Sequence, residues 1–430
     1  MSSSNGHRSR TSFILPPLCG TAIAWLLAAP VCADTLPLTL GAAEDLAIEG
    51  EPGRAAMLAR ADAFDEESIA AGQLPEFKLR MGLANYPIES GDFTTEGMTQ
   101  AQLGLRMEVP PGGVREASAR QFGSLADEMR ESAGSRERDV LAAVRAAWLD
   151  TYYWQRTHAI VDEARPFFAD LVTVTRSLYA VGRRNQQDLL RAELELSRLD
   201  DRLIDIGNQH ARAIAALSEW AGRDAHRPVA ESLPQWDSLP PLASLEANLA
   251  EHPSVQAANA RIDAREARID AAEADYKSGW VWELGYGYRD GRMPDGTSRS
   301  DFVSLSVTMD LPFSREDRQG RYLAAAFSER RAAEASREEL LRRLASRLGA
   351  EYSQWTELTR RMALHESQIL PQAGANAQAS LVAYQSDAAD FSNVMRAYID
   401  DLNARVEYTR LVVERAKSYA VLANLGGFSR

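Results

Sequence analysis

Apolar residues along this chain follow two periods. Most of the length repeats them at helical spacing, while four short runs alternate residue by residue. In the first run Phe77, Leu79, Met81 and Leu83 oppose Glu76, Lys78, Arg80 and Gly82; in the second Leu103, Leu105, Met107 and Val109 oppose Gln102, Gly104, Arg106 and Glu108. The third sets Trp280, Trp282, Leu284, Tyr286 and Tyr288 against Glu283, Gly285, Gly287 and Arg289. The fourth sets Val303, Leu305, Val307, Met309 and Leu311 against Ser304, Ser306, Thr308 and Asp310. The pattern predicts a short helix over 41–72, strands over 76–84 and 100–109, a very long helix over 115–178 and a returning helix over 186–222. The same order then recurs as 240–277, 280–289, 301–311, 316–382 and 388–425.

The recurrence is a duplication. Pro166 and Pro371 lie 205 residues apart, and the same offset relates Tyr179 to Tyr384, Ala192 to Ala397, Leu217 to Leu422 and Gly222 to Gly427. "LGLRMEVP" from Leu103 matches "LSVTMDLP" from Leu305 at an offset of 202, so a small indel separates strand from helix. The domain organisation that follows is a first repeat over 34–222, a proline-rich linker over 223–239 and a second repeat over 240–430.

A helix of about 65 residues is on the order of 100 Å long, several times the width of a compact domain. Two shorter helices stacked end to end match it, which predicts a rod of antiparallel helices with strands at one end and turns at the other. Leu189, Leu196, Leu203 and Leu217 recur in heptads with His210 in the remaining slot, and Ala192, Leu199, Ile206, Ala213 and Trp220 form a second seam, so this helix supercoils on its neighbours. His210 is more simply a register-setting polar residue in that seam than a ligand.

A single alternating strand is ordinarily half of a sheet packed on a helix. Three features point elsewhere. The runs have the 9–11 residues that cross a tilted bilayer, tryptophan and tyrosine gather toward their ends, and the connections "NYPIESGDFTTEG" and "RDGRMPDGT" are long and polar. One side of each strand then faces lipid, through Leu79, Met81, Leu105, Met107, Trp282, Leu284, Leu305, Val307 and Met309. Four strands leave two open edges, which hydrocarbon forbids, so several copies must share a barrel: two would close eight strands, three would close twelve and leave a lumen.

Composition narrows the rest. The 430 residues are 25% charged and 45% hydrophobic, which excludes wholesale disorder, and a net charge of −13 argues against nucleic acid as a partner. Residues 1–33 read as a secretory signal peptide: Arg8 and Arg10, an apolar core over 23–29 too short to span, and Val31-Cys32-Ala33 as cleavage site. Both cysteines, Cys19 and Cys32, lie inside it, and Pro30-Val31 fits poorly before a lipidated cysteine. Removing Arg8 and Arg10 takes the formal charge from −13 to −15 in an exported, cysteine-free chain. There is no HExxH motif; His365 begins "HESQ" without the second histidine, and "GYGYRDG" sits in a strand with no helix N-terminus to offer a phosphate. No catalytic, cofactor or metal site is expected.

The duplicated plan, the strand-to-helix junctions "VPPGGVREASARQ" and "LPFSREDRQGRYLAAA", and the turns "LYAVGRRNQQDLLRA" and "AYQSDAADFSNVMRA" resemble the outer-membrane efflux protein (TolC) family over nearly the whole mature chain. The compact length is more similar to its heavy-metal, CzcC-like branch. The resemblance implies a mainly α fold with a small β part: a homotrimer with a twelve-stranded barrel in the bacterial outer membrane and a periplasmic tunnel of coiled helices. It implies a passive duct, not an enzyme, for heavy-metal cations or drugs, delivered by an inner-membrane RND-type transporter through a periplasmic adaptor (membrane fusion) protein. A duct for one-step protein secretion is the neighbouring alternative, and an exported coiled-coil scaffold the distant one. In a trimer Asp387 and Asp390 of one far turn become rings of carboxylates and Arg183 and Arg184 lie at the corresponding place in the other repeat, positions expected to hold the aperture narrow and to select cations; the resemblance implies adaptor docking at Tyr179, Gly182, Leu189, Tyr384 and Phe391. The second repeat departs from the family's Tyr-x-x-Gly turn by placing Asp387 where Gly182 stands in the first.

Overall fold

The computed structural model describes residues 36–311, 313–386 and 388–428. The signal peptide, Cys19, Cys32 and Asp387 lie outside the described residues. The chain runs α1 (Leu40–Ile48), α2 (Pro52–Gly72), β1 (Lys78–Ala84), β2 (Gln100–Val109), α3 (Val114–Ala180) and α4 (Gln186–Ala221). It continues with α5 (Leu242–Asn248), α6 (Pro253–Ala274), β3 (Trp280–Tyr288), β4 (Phe302–Met309), α7 (Gln319–Leu364), α8 (Leu370–Gln385) and α9 (Phe391–Gly426).

Both predicted short helices are broken in two. The first kinks at Gly50, whose φ of +78° suits glycine, and Pro52 then starts α2 while the Glu51 carboxylate accepts the Arg54 N–H. The second breaks at His252, whose Nδ1 accepts the Ser254 N–H at 3.2 Å before Pro253 starts α6. Periodicity runs through both breaks and so predicted single helices.

The two prolines 205 residues apart are accommodated differently. Pro166 sits inside the uninterrupted α3, whereas a π turn over His365–Ile369 precedes Pro371 and separates α7 from α8. Elsewhere the repeats coincide closely. The α4 and α9 helices each have 36 residues, begin at Asn185 and Asp390 with nearly equal backbone angles, and end at Gly222 and Gly427 with positive φ.

In the upper helical layer α2 packs on α3, α3 on α6 and α6 on α7. In the lower one α4 packs on α3, α3 on α9 and α9 on α8. A middle core joins Trp148 and Leu149 of α3 to Ala43 of α1, Leu217 of α4 and Tyr419 and Ala420 of α9. A lower core joins Val161 and Phe168 of α3 to Leu199 and Ile206 of α4 and to Val394 and Leu402 of α9. The second seam of α4 is buried through Ala192, Leu199, Ile206 and Ala213, with Leu189, Leu196 and Leu203 half-buried beside it, but the seams exchange near the C-terminus, where Leu217 of the first is fully buried and Trp220 of the second only partly.

The segment over 223–239 is folded onto the middle core. Leu38 and Val229 form a parallel bridge, the Gln155 amide both donates to and accepts from the Val229 backbone at 3.0 Å, and Trp236 is buried against Tyr419.

Candidate functional site

The four strands form one antiparallel sheet in the order β1-β2-β3-β4. Register places Leu79, Leu105, Leu284 and Leu305 in one row across it. Met107, Trp282 and Val307 form the next row toward the helices, with Trp280 and Met309 beyond, and Met81, Leu103, Tyr286 and Val303 form the row on the other side. Directly paired residues share a face, so all nine residues expected to face lipid stand on one side of one sheet. That side is uncovered: Met81 and Val303 are 74% exposed, Leu305 is 68% exposed, and Trp282 and Tyr286 are 45% exposed. An apolar surface of this extent in water is unusual for a single folded chain.

The opposite side is polar. Lys78 meets Glu108 at 2.8 Å, Arg106 meets Glu108 at 3.3 Å, and Arg80 meets Glu283 at 3.4 Å. Small residues alternate with these charges because neighbouring side chains lie across them. A Cβ on Gly287 would stand 2.1 Å from Gln100 Oε1, and one on Gly285 would stand 2.7 Å from Ser304 Oγ. Outer strands β1 and β4 each pair on one side only, leaving two rows of backbone donors and acceptors open.

The two connections beyond the sheet are tied together, a feature that alternation cannot foretell. Arg299 Nη1 donates to the carbonyls of Thr94 (2.9 Å), Glu96 (3.1 Å) and Asp290 (3.1 Å). Arg289 donates to the Gly97 and Ser300 carbonyls while its guanidinium lies 3.7 Å from the Phe302 ring centroid. Long-range pairing of this kind has no local sequence signal beyond two arginines in one polar loop.

At the other end of the rod, the α3–α4 and α8–α9 turns close alike. Arg183 N–H donates to the Leu178 carbonyl at 2.9 Å, and 205 residues on Ala388 N–H donates to the Ala383 carbonyl at 2.8 Å. Gly182 takes a φ of +74° in the first turn. Among the residues expected at an aperture, Arg183 and Asp390 are exposed and Arg184 lies across the Tyr384 ring, 4.6 Å from its centroid. That contact joins the two turns.

The docking candidates divide. Tyr179 is 42% exposed and Gly182 is open to solvent, while Leu189 packs half-buried on the lower core. Tyr384 (5% exposed) and Phe391 (1%) are core residues in edge-to-face contact at 5.9 Å, so their side chains are already engaged within the chain and do not present a docking surface. The reason is positional: Tyr384 points into the α3–α4–α9 cluster whereas its repeat counterpart Tyr179 points out. Among the described residues no group of three or more His, Cys, Asp or Glu side chains is placed to hold a metal, and no helix is long and apolar enough to cross a membrane.

No protein-family model and no curated protein matches the chain. Solved structures do. The outer-membrane channel OprN matches at 17% identity over 90% of both chains with a TM-score of 0.75. CusC, described in connection with transmembrane channel formation, matches at 14% identity over 91% of this chain and 93% of that chain with a TM-score of 0.77. The outer-membrane protein VceC from Vibrio cholerae matches at 16% identity over 90% of this chain and 96% of that chain with a TM-score of 0.75. The chain therefore has the outer-membrane channel fold that its resemblance to the TolC family implied.

Proposed function

We propose that this protein is the outer-membrane exit duct of a tripartite efflux pump. The observation that carries the proposal is the sheet with one exposed apolar side, one polar side and two unpaired edges. In lipid each open edge must be satisfied, and identical copies satisfy it by pairing β4 of one with β1 of the next. Three copies give twelve strands, apolar outward and polar inward around a water-filled lumen. The helices then continue the lumen through the periplasm as a tunnel, with the α3–α4 and α8–α9 turns at its far end.

Conduction is passive, so the protein's task is to hold a polar bore open through lipid and to narrow it at the turns. Asp387, Asp390, Arg183 and Arg184 line that aperture in the proposed assembly, and exposed Tyr179 and Gly182 mark the surface for a periplasmic adaptor that couples the duct to an RND-type transporter. The cargo is a small substrate, heavy-metal cations as in the CzcC-like branch or drugs. An exported scaffold would leave the apolar side of the sheet in water, which disfavours it.

Fractionation and planar-bilayer recording test the proposal together. The protein is expected in the outer-membrane fraction, migrating as a trimer that heat converts to monomer, and conducting ions after reconstitution. A soluble periplasmic monomer without conductance overturns it.

A further inference from the structure

Where α6 begins, three helices carry small residues at one height. Ser132, Ala133, Gly134 and Ser135 of α3 lie beside the first turns of α6, close enough that a Cβ on Gly134 would stand 3.5 Å from Pro253 Cβ. Ala257 and Ala258 of α6 and Ala333 of α7 continue the run of small side chains. With Met57 of α2 these positions leave a recess of about 500 Å³, the size of a site for a small organic molecule. Packing runs from α2 to α3 to α6 to α7, and residues of both end helices line this one space, so the row is concave on that side. A ring built from several such rows closes only with the concave side inward, which puts the recess on the bore.

The chemistry of the recess favours a negative group. Arg136, Arg261 and Arg337 line it from three different helices. The first two are held by buried carboxylates: Glu51 accepts from Arg136 Nε at 3.2 Å and Nη2 at 2.9 Å, and Glu128 accepts from Arg261 Nε at 2.9 Å and Nη2 at 2.5 Å. Both guanidiniums are thereby fixed in place, and among the described residues each keeps Nη1 uncommitted. Arg337 is exposed and makes no ion pair among the described residues. Two hydroxyls are idle as well. Ser336 Oγ donates to the Ala332 carbonyl at 2.9 Å, as a helical serine commonly does, but among the described residues Ser132 and Ser135 Oγ have no partner. Asp139 is the one carboxylate among the described lining residues, and it accepts from Asn424 Nδ2 at 3.4 Å. Met57, Leu340 and the alanines supply an apolar wall beside these donors.

We infer that this recess is a binding site in the wall of the bore for organic anions, molecules with a carboxylate, sulfonate or phosphate group on an apolar body. The anionic group accepts from Arg337 and from the uncommitted guanidinium and serine donors, and the apolar body lies on Met57 and Leu340. A cation would meet three guanidiniums against one carboxylate there, so the site discriminates by sign of charge. The inference rests on the duct reading and names a class of cargo within it, favouring drugs of that charge over metal cations.

Isothermal titration of the purified full-length protein with naphthalene-2-sulfonate is expected to show saturable binding, and titration with naphthylmethylammonium to show binding at least about tenfold weaker. Arg337→Gln is expected to weaken sulfonate binding about fivefold or more, and Arg337→Lys, which keeps the charge, to hold it within about twofold. Arg337 is exposed, so both variants are expected to keep the thermal midpoint of the unsubstituted protein. Ser132→Val with Ser135→Val gives a second measure on another helix, with weakening expected in the same direction. Absence of saturable binding, equal binding of the two probes, or one affinity across all variants overturns the inference. Planar-bilayer recording tests the placement: the sulfonate is expected to reduce single-channel current in the unsubstituted protein, and to do so less in Arg337→Gln. Binding that leaves the current untouched means that the recess does not open on the bore; it overturns the inference and leaves the duct reading standing. A protein that binds the sulfonate but never conducts overturns the duct reading itself.

Discussion

Arg145 on α3 donates to the Glu44 carboxylate of α1 at 2.6 Å, with both side chains almost out of water at 10% and 4% exposure. The guanidinium also lies 5.9 Å from the Trp236 ring centroid, so one ion pair binds the first helix, the long helix and the inter-repeat segment. Removing one partner strands a buried charge. Arg145→Leu is expected to destabilise the chain by about 3–5 kcal/mol, and the double change to leucine at both positions by much less. Thermal unfolding of the purified protein followed by circular dichroism distinguishes the two; equal losses would show that packing at this site, and not charge burial, sets the cost.

Val307 and Ser306 are neighbours in β4 on opposite sides of the sheet. Arginine at Val307 is expected to cost about 2–4 kcal/mol where the strand crosses the bilayer's middle, and arginine at Ser306, in a wet lumen, far less. The heat-resistant trimer band should vanish for Val307→Arg and persist for Ser306→Arg. Similar yields from both would count against the barrel.

If these carboxylates form the proposed aperture, Asp387→Ala with Asp390→Ala is expected to reduce cation preference and raise single-channel conductance. Recording from planar bilayers measures both at once, and an unaltered channel would mean that these carboxylates are solvated turn residues. Arg184→Ala is expected to loosen the joint between the turns by about 0.5–1 kcal/mol through loss of its contact with the Tyr384 ring.

His252 links stability to pH. Its imidazole sits below the ordinary value of 6.5 because burial disfavours the cation and the Arg138 guanidinium adds to that, against the opposing pull of Asn424 and the Asp139 carboxylate. A lowered value means that the unfolded chain takes up a proton the folded chain resists. The contribution is therefore whole above about pH 6.5 and is lost as pH falls below it. His210, pushed down by burial and by His158, acts in the same direction. The thermal midpoint is expected to drop between about pH 7.5 and pH 5.5, and to drop less in His252→Asn, which caps α6 without titrating. An equal drop in both would remove His252 from the account.

Much of this architecture was legible in the chain because its signals are strict. Alternation over about ten residues sets which side of a strand is apolar, and four such runs of matching phase can share a sheet in few ways. The heptads of α4 likewise identify the buried seam from Ala192 to Ala213, though not its last turn, where Leu217 and not Trp220 is buried. Helix interruptions were less legible: Gly50-Glu51-Pro52 and His252-Pro253 carry local breakers, but apolar periodicity continues across them. The burial of Tyr384 and the ties made by Arg289 and Arg299 were not legible, because each depends on partners far away in the chain.

The π turn before Pro371 has a consequence for symmetry. From the start of α3 to Pro166 and from the start of α7 to Pro371 the residue counts are equal, yet only the second path contains a turn wound with an extra residue. Side chains below it lag in phase, and the buried stripe on α8 runs through Ala377 and Tyr384, whereas that on α3 runs through Leu171, Val172 and Thr175. Three copies of a perfect duplicate would make a bore with six equivalent hairpins. In the proposed trimer one underwound turn per chain would leave instead two alternating sets of three hairpins, distinguished by the phase of their lower helices.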